Sequence, residues 1–231
     1  MAIGHYNKSK GGTTTGVGTN GQSALIVGNG TASSTSNAFR VECTGQIYSS
    51  GNYNTSGADY AEYFEWFDQN SKEEDRRGYF VTLKNNKIQI ATPNDYILGI
   101  ISGNPSVIGN SDEDWQGRFI KDDFDTYIKE QFEYEVEEFN EATNQIVKRK
   151  EIGIKWKENP NYDPTQKYIP RADRSEWDAV GMLGVLSVRD DGTCEVNGYC
   201  TVADGGIATK SETGYRVIER INEHIVKIVF K

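Results

Sequence analysis

Apolar residues in the first 54 positions come in short bursts rather than sustained runs. Ala24-Leu25-Ile26-Val27 and Ala38-Phe39-Arg40-Val41 are strand-like, and a Gly/Thr/Ser tract at 28–37 separates them. Gln46-Ile47-Tyr48 and Asn52-Tyr53-Asn54 continue the pattern around Ser49-Ser50-Gly51. Strands this short bury too little surface on one chain to offset the entropy of ordering them. They are therefore expected to wind together with the same strands of neighbouring chains, as a fibrous stem. Residues 1–22, with Gly11-Gly12-Thr13-Thr14-Thr15-Gly16-Val17-Gly18, read as a flexible or loosely wound leading segment.

From Asp59 the pattern becomes globular. Ala61, Tyr63-Phe64 and Trp66-Phe67 form an aromatic cluster ahead of the charged loop Glu73-Glu74-Asp75-Arg76-Arg77. Strands are predicted at 78–83, 88–91 and 96–102, with turns at Asn85-Asn86 and Pro93-Asn94-Asp95. Ile120, Phe124, Tyr127 and Ile128 fall at i, i+4, i+7 and i+8, which predicts a helix over 118–131 begun by Ser111 or Asp112. Alternation at Phe132-Tyr134-Val136 and at Ile152-Ile154-Trp156, on either side of a turn at 140–145, predicts a long hairpin arm. Glu133, Glu135, Glu137 and Glu138 then face Lys148, Arg149, Lys150, Lys155 and Lys157. A Pro- and Tyr-containing loop at 159–170 leads to final strands at 181–189, 194–202, 216–221 and 225–230. The fold class is mainly β with one helix: an interwoven β stem over residues 1–58, then a β-rich globular domain over 59–231 with a helix and hairpin insertion at about 111–178.

Composition narrows the function classes. The 231 residues are 36% apolar, and mean hydropathy is −0.66, thin for a compact monomer and suggestive of an oligomer. A net charge of −9 and a pI near 4.9 argue against nucleic-acid binding and against docking on anionic lipid. No apolar run approaches the roughly 20 residues that cross a bilayer, and no leader-like apolar stretch follows Met1. Cys43, Cys194 and Cys200 give no disulfide framework. A two-residue turn at Asn197-Gly198 would pair Val196 with Tyr199 and Glu195 with Cys200, which sends the thiols of Cys194 and Cys200 to opposite faces. With His5 and His224 the only histidines, neither a His-based metal cage nor a Ser-His triad is expected. No phosphate-cradling Gly-rich loop ends in Lys-Ser or Lys-Thr. No cofactor and no metal are expected.

The stretch Asn54-Thr55-Ser56-Gly57-Ala58-Asp59-Tyr60-Ala61-Glu62 joins these two kinds of sequence. Glu42 is the only carboxylate before Asp59, so a flexible linker runs directly into two carboxylates three residues apart. That arrangement suits a chain that cuts itself. On a helical turn Asp59 and Glu62 share one face, and the same spacing also suits an ordinary N-terminal capping pair. Two carboxyls held close, within the shell of Tyr60, Tyr63, Phe64 and Trp66, allow one to act as base toward water and the other as protonated acid. Ser56 or Thr55 attacking the preceding carbonyl, or Asn54 cyclising, are alternative routes, although these residue types equally make plain turns.

Gly57-Ala58-Asp59-Tyr60-Ala61-Glu62-Tyr63-Phe64-Glu65-Trp66 resembles the signature of the G2 peptidase family. The resemblance continues through Ile97-Leu98-Gly99-Ile100-Ile101-Ser102-Gly103-Asn104-Pro105 and Val180-Gly181-Met182-Leu183-Gly184-Val185-Leu186. It closes with Gly198-Tyr199-Cys200-Thr201-Val202-Ala203 and Gly214-Tyr215-Arg216-Val217-Ile218, and so covers about residues 45–231. It implies an autoproteolytic intramolecular chaperone at the C-terminus of a phage tail spike or neck appendage of Bacillus-type hosts. It also implies a homotrimer that includes the upstream spike region of the same chain, assembled in the bacterial cytoplasm and destined for the virion tail. Asp59 and Glu62 match the family's catalytic pair. The cut is expected within Ser56, Gly57, Ala58 and Asp59, at the Ala58–Asp59 bond, with Asn54, Thr55 and Ser56 as assisting candidates. Residues 1–58 would then be the last piece of a longer stem, with Met1 starting a fragment. Slow, high-contact-order stem strands explain the use of a trimerising cap, and removal of the cap traps the folded trimer. Two other classes compete: a trimerisation cap that does not cleave, and a glycan- or receptor-binding module built on the 159–168 loop.

Overall fold

The computed structural model describes residues 2–5, 23–43, 45–111, 117–140 and 144–231, and the chain divides into two compact units. The expected glycine-rich tract 11–18, the helix start at Asp112 and the tip of the arm at 141–143 lie outside the described residues. Strands are numbered along the chain.

In the unit formed by Met1–Asn54 and Gly117–Tyr162, β1 (Ala2–His5), β2 (Ser23–Asn29), β3 (Asn37–Glu42) and β4 (Ile47–Ser49) make a four-stranded sheet in that order. β1 runs parallel to β2, and the other neighbours are antiparallel. Short strands here find their partners within one chain, which the run lengths alone did not require. Asn52-Tyr53-Asn54 forms no strand. The hairpin arm is present as β10 (Lys129–Asn140) paired with β11 (Gln145–Trp156) in the register that the charges demand: Glu133 opposes Ile152, and its carboxylate meets Lys150 on the diagonal at 3.1 Å. These ion pairs are exposed and contribute little individually.

The expected helix over 118–131 is not formed, and no α-helix occurs among the described residues. Asp122 explains the difference. Its carboxylate accepts the backbone N–H of Phe124 and Thr126 at 2.9 and 3.0 Å, and Asp125 takes a positive φ of 60°, so the chain reverses in a tight turn. Ile120, Ile128 and Lys157 then exchange backbone hydrogen bonds of 2.8–2.9 Å. Tyr127 stacks on Trp156 at 4.7 Å, with Phe119 edge-on to that indole at 5.1 Å. The helical spacing of Ile120, Tyr127 and Ile128 is met by this turn-and-ladder, which packs the aromatic rings better than a lone amphipathic helix with nothing to cover it.

The second unit holds Thr55–Gln116 and Asp163–Lys231. β5 (Asp59–Glu65), β6 (Phe80–Lys84), β7 (Lys87–Ile90), β8 (Gly99–Ile101) and β9 (Val107–Gly109) precede β12 (Trp177–Arg189), β13 (Tyr199–Val202), β14 (Ala208–Ser211), β15 (Tyr215–Asn222) and β16 (Ile225–Phe230). One curled sheet has the order β14-β13-β15-β16-β12-β8-β6-β7, with β5 paired to β12 and β9 paired to β5. Strict alternation along β16 buries Val226, Ile228 and Phe230 against Phe80, Leu186 and Val188. A second cluster gathers Trp66, Val81, Ile88, Leu98, Ile101 and Val180. Trp66 donates its indole N–H to Asp178 at 2.8 Å.

The chain turns one residue earlier than expected, with Val196-Asn197 at its centre: Asn197 has φ 66°, and the Gly198 N–H donates to the Glu195 carbonyl at 2.9 Å. Residues 194–196 form no strand, so neither the expected Asn197-Gly198 turn nor its register exists. Cys194 and Cys200 turn into the same core cluster rather than to opposite faces. β9 and β14 carry no sequence signal strong enough to mark them: both are short, β9 taking its hydrogen bonds from β5 and β14 from the preceding β13.

Asp190 is enclosed, and Arg220 reaches it at 2.8 Å. Burial would raise the Asp190 pKa, but the Arg220 guanidinium, the Gly192 N–H and the Cys194 thiol bring it below the usual carboxylate range. A depressed folded pKa means that this stabilisation is present above the unfolded value of about 3.9 and is lost as pH falls through the folded value. Arg220→Ala should therefore destabilise the fold by about 3 kcal/mol at neutral pH, the low end for a broken buried pair because Arg220 keeps an exposed edge. Urea unfolding at neutral pH and at about pH 2 checks it: the difference from wild type should shrink in acid.

Candidate active site

β5 begins at Asp59, and everything before it from Gly51 to Ser56 is exposed. The chain therefore passes from solvent into the sheet within three residues. Gly57 makes that entry possible. A Cβ at this position would sit 2.5 Å from the Ser106 nitrogen and closer still to the Asn104 carbonyl oxygen, so only glycine fits between the linker and the 104–106 turn. Ser106 then fixes the linker from one side. Its hydroxyl donates to the Gly57 carbonyl at 2.5 Å, and its N–H donates to the Asp59 carbonyl at 2.8 Å. Thr55 shares a hydroxyl hydrogen bond of 2.6 Å with Ser106, and the Asn104 amide reaches the Ser56 hydroxyl at 3.4 Å. Asn54 is exposed.

Between these two anchored carbonyls, the carbonyl of Ala58 points the other way and accepts the Val185 N–H at 3.3 Å. β12 approaches it through an irregularity: pairing with β5 skips a residue between Gly181 and Leu183, and Gly184 adopts φ +125° opposite Asp59. A side chain at Gly184 would strike the Ala58 carbonyl oxygen and lie 2.9 Å from Asp59 Cα. Backbone thus touches backbone at the bond that the sequence singles out.

The Asp59 side chain is 5% exposed. Burial raises its pKa above the ordinary value, against a smaller lowering by the Ser102 hydroxyl. Its Oδ2 has no hydrogen-bond partner and lies against Gly181, where a Cβ would come within 2.7 Å. A cavity of ≈ 610 Å³ opens beside it, lined in part by Ser56, Gly57, Ala58, Ser102 and Asn104. A buried carboxyl whose pKa is raised by burial, beside a fixed peptide and a water-accessible cavity, has the placement that general acid chemistry requires.

Glu62 lies elsewhere. Residues 59–62 are strand rather than helical turn, so the pair does not share a face. Asp59 and Ala61 point into the protein, whereas Tyr60 and Glu62 lie on the outer side, where the Tyr60 hydroxyl donates to Glu62 at 2.5 Å. Three residues of strand separate the two α-carbons by roughly 10 Å. One chain brings Asp59 to the Ala58–Asp59 bond and leaves Glu62 facing outward. Ser102, Ser106, Gly184 and Val185 belong to the site's surroundings but were not singled out from the sequence. Only the glycines carried a signal, and its meaning depends on which strand lies opposite. Among the described residues no cluster of His, Cys, Asp and Glu suited to a metal occurs.

Residues 7–225 match the family described as Peptidase_G2, IMC autoproteolytic cleavage domain. The chain is 38% identical over 159 residues to the pre-neck appendage protein of Bacillus phage phi29, an alignment covering 67% of this chain and 16% of that protein. It is 34% identical over 155 residues to the putative phage-related protein YobO of Bacillus subtilis (strain 168), covering 66% and 18%. The crystal structure of the pre-mature bacteriophage phi29 gene product 12 is similar over 89% of this chain and 26% of that one, with TM-score 0.67 and 27% identity. The C-terminal fragment of the same gene product matches 75% of this chain and 100% of the fragment, with TM-score 0.56 and 31% identity. The chain thus spans about a sixth of the length of the phage appendage proteins it matches.

The raised pKa of Asp59 has a signed consequence. The folded state holds a proton that the unfolded state releases above about 3.9, so stability falls as pH rises from that value through the folded pKa. Asp59→Asn should remove this fall and leave the chain at least as stable at neutral pH. Melting midpoints from about pH 4 to about pH 8, compared in a Glu62→Gln background so that both chains stay intact, test it; parallel pH profiles in the two proteins would refute it.

Proposed function

The chain belongs to the Peptidase_G2 family of autoproteolytic cleavage domains, and from that premise we propose that residues 59–231 are the self-cleaving intramolecular chaperone of a phage tail-spike or neck-appendage protein. The domain trimerises and folds the stem that ends at residue 58, then severs itself by hydrolysing the Ala58–Asp59 bond. One observation carries the position of the cut: the buried carboxyl of Asp59, its pKa raised by burial, stands on the first residue of β5, where an exposed linker is pinned against the sheet. The names of the relatives support placement at the virion neck or tail.

The chemistry is assigned to two carboxyls. Asp59 holds the proton that the leaving nitrogen, its own, needs on departure. Glu62 is the base toward water. Because Glu62 of the same chain faces away from the bond, the base comes from Glu62 of a neighbouring chain in a homotrimer. Exposed apolar residues of the first sheet, Ile47 and Tyr48, and of the arm, Phe139, Ile146 and Ile152, support burial against further copies. A site completed across chains cuts only after assembly, which protects the stem from losing its cap before its strands find register. Ser56 and Thr55, whose hydroxyls are engaged with Asn104 and Ser106, serve to fix the linker in this scheme.

Glu62→Gln should leave the trimer intact and slow cleavage by at least about 100-fold, read by intact mass over time; cutting at the wild-type rate would exclude Glu62. Ser56→Ala should cleave at nearly the wild-type rate, whereas a hydroxyl attacking its neighbour would make that variant inactive. Co-refolding Asp59→Asn chains with Glu62→Gln chains should restore cleavage in mixed trimers although neither parent cuts. Mixed trimers that stay whole would place both carboxyls within one chain.

A further inference from the structure

We infer that the backbone N–H of Val185 is the oxyanion donor for the self-cleavage step, and that the β12 irregularity ending in Gly184 exists to present it. The inference rests on the reading that Ala58–Asp59 is the bond cut. Attack by water on the Ala58 carbonyl carbon moves a proton to the base carboxylate and the carbonyl π pair onto oxygen. That oxygen, now an anion, needs a donor. As the carbonyl re-forms, the C–N bond breaks and the acid carboxyl protonates the Asp59 nitrogen, leaving an amine on Asp59 and a carboxylic acid on Ala58, which loses its proton to solvent.

Three observations single out Val185. The carbonyls on either side, of Gly57 and Asp59, are tied to Ser106 at 2.5 and 2.8 Å, while the carbonyl of Ala58 alone turns to β12. Its hydrogen bond from Val185 is 3.3 Å, longer than the usual 2.9–3.0 Å. An N–H set back in this way can close on an oxygen that gains charge and moves out of the peptide plane, so it favours the transition state over the intact peptide. The regular β12–β5 pairing ends at Gly184 opposite Asp59, so this contact lies one residue beyond the ladder. Gly184 at φ +125° brings β12 so close that any side chain would collide with the carbonyl it serves. Ordinary strand pairing requires neither a skipped residue nor a glycine there. Val185 acts through its amide, and Gly184 is the positioning residue.

The test replaces the Val185 amide by an ester, using the hydroxy-acid analogue of valine in cell-free translation of the full chain. This deletes the donor and keeps the side chain. An ester at Val188, whose N–H faces β16 by strand alternation, is the control for losing one backbone hydrogen bond. Rates are read per folded chain, from near-ultraviolet circular dichroism at the start of each reaction. The Val185 ester should cleave about 100- to 1,000-fold more slowly than the Val188 ester. Its pH–rate profile should keep the wild-type shape at lower height, because no titrating group has changed. Cleavage within about threefold of the control overturns the donor role and leaves the assigned function standing. Wild-type fragment masses test the premise separately: a released domain that does not begin at Asp59 would overturn both.

Discussion

Backbone pairing along β12 is the constraint on which the second unit depends. This 13-residue strand meets β5 and β8 in its first half and β16 in its second. Val180 belongs to the core cluster around Trp66, and Leu186 and Val188 belong to the one around Phe80. A strand that serves two cores on successive halves must re-aim its side chains where it changes partners. The skipped residue between Gly181 and Leu183 does this, leaving Leu183 57% exposed and returning Leu186 to the interior. Asp59 is paired at that switch, so the geometry of the site is a by-product of how the sheet is held together.

Two buried acids, Asp190 and Asp59, and the half-buried Asp178 are treated in three ways in this unit, and the contrast marks Asp59 out. Asp190 has a guanidinium, a backbone N–H and a thiol, and remains ionised. Asp178 has the Trp66 indole N–H, with burial still raising its pKa. Asp59 has the Ser102 hydroxyl on its carboxyl and an oxygen with no partner at all. An unsatisfied buried carboxyl lowers stability, and a structural role would have provided a partner.

A single-turnover cleavage also changes what a site must do. No substrate is captured or released, so strand pairing and the Ser106 anchors take the place of a binding pocket. Their fixed geometry supplies the proximity that a bimolecular reaction lacks. The remaining requirement is timing. A base provided by a neighbouring chain, as proposed, would make the reaction wait for assembly, since Glu62 of the same chain faces outward.

Local features of the chain determined much of this without tertiary help. The change of character at Asp59, the alternation of β16 and the charge-matched arm are each written within a few residues, because side-chain period is a local property. The same locality misled at 118–131, where helical spacing was outweighed by the carboxylate of Asp122 capping its own turn and by Trp156, some 30 residues away, stacking on Tyr127. It misled again at Cys194 and Cys200, whose common destination is set by the core and not by a hairpin register. The candidate carboxylates were legible as residue types, but their relation was not. Only the pairing of β5 with β12 made residues 59–62 a strand, put Asp59 and Glu62 on opposite faces, and gave Gly184 and Val185 a carbonyl to meet. Contacts between segments some 120 residues apart leave no periodic trace in either segment, so the sequence offered a candidate bond and candidate carboxyls while the folded sheet arranged them.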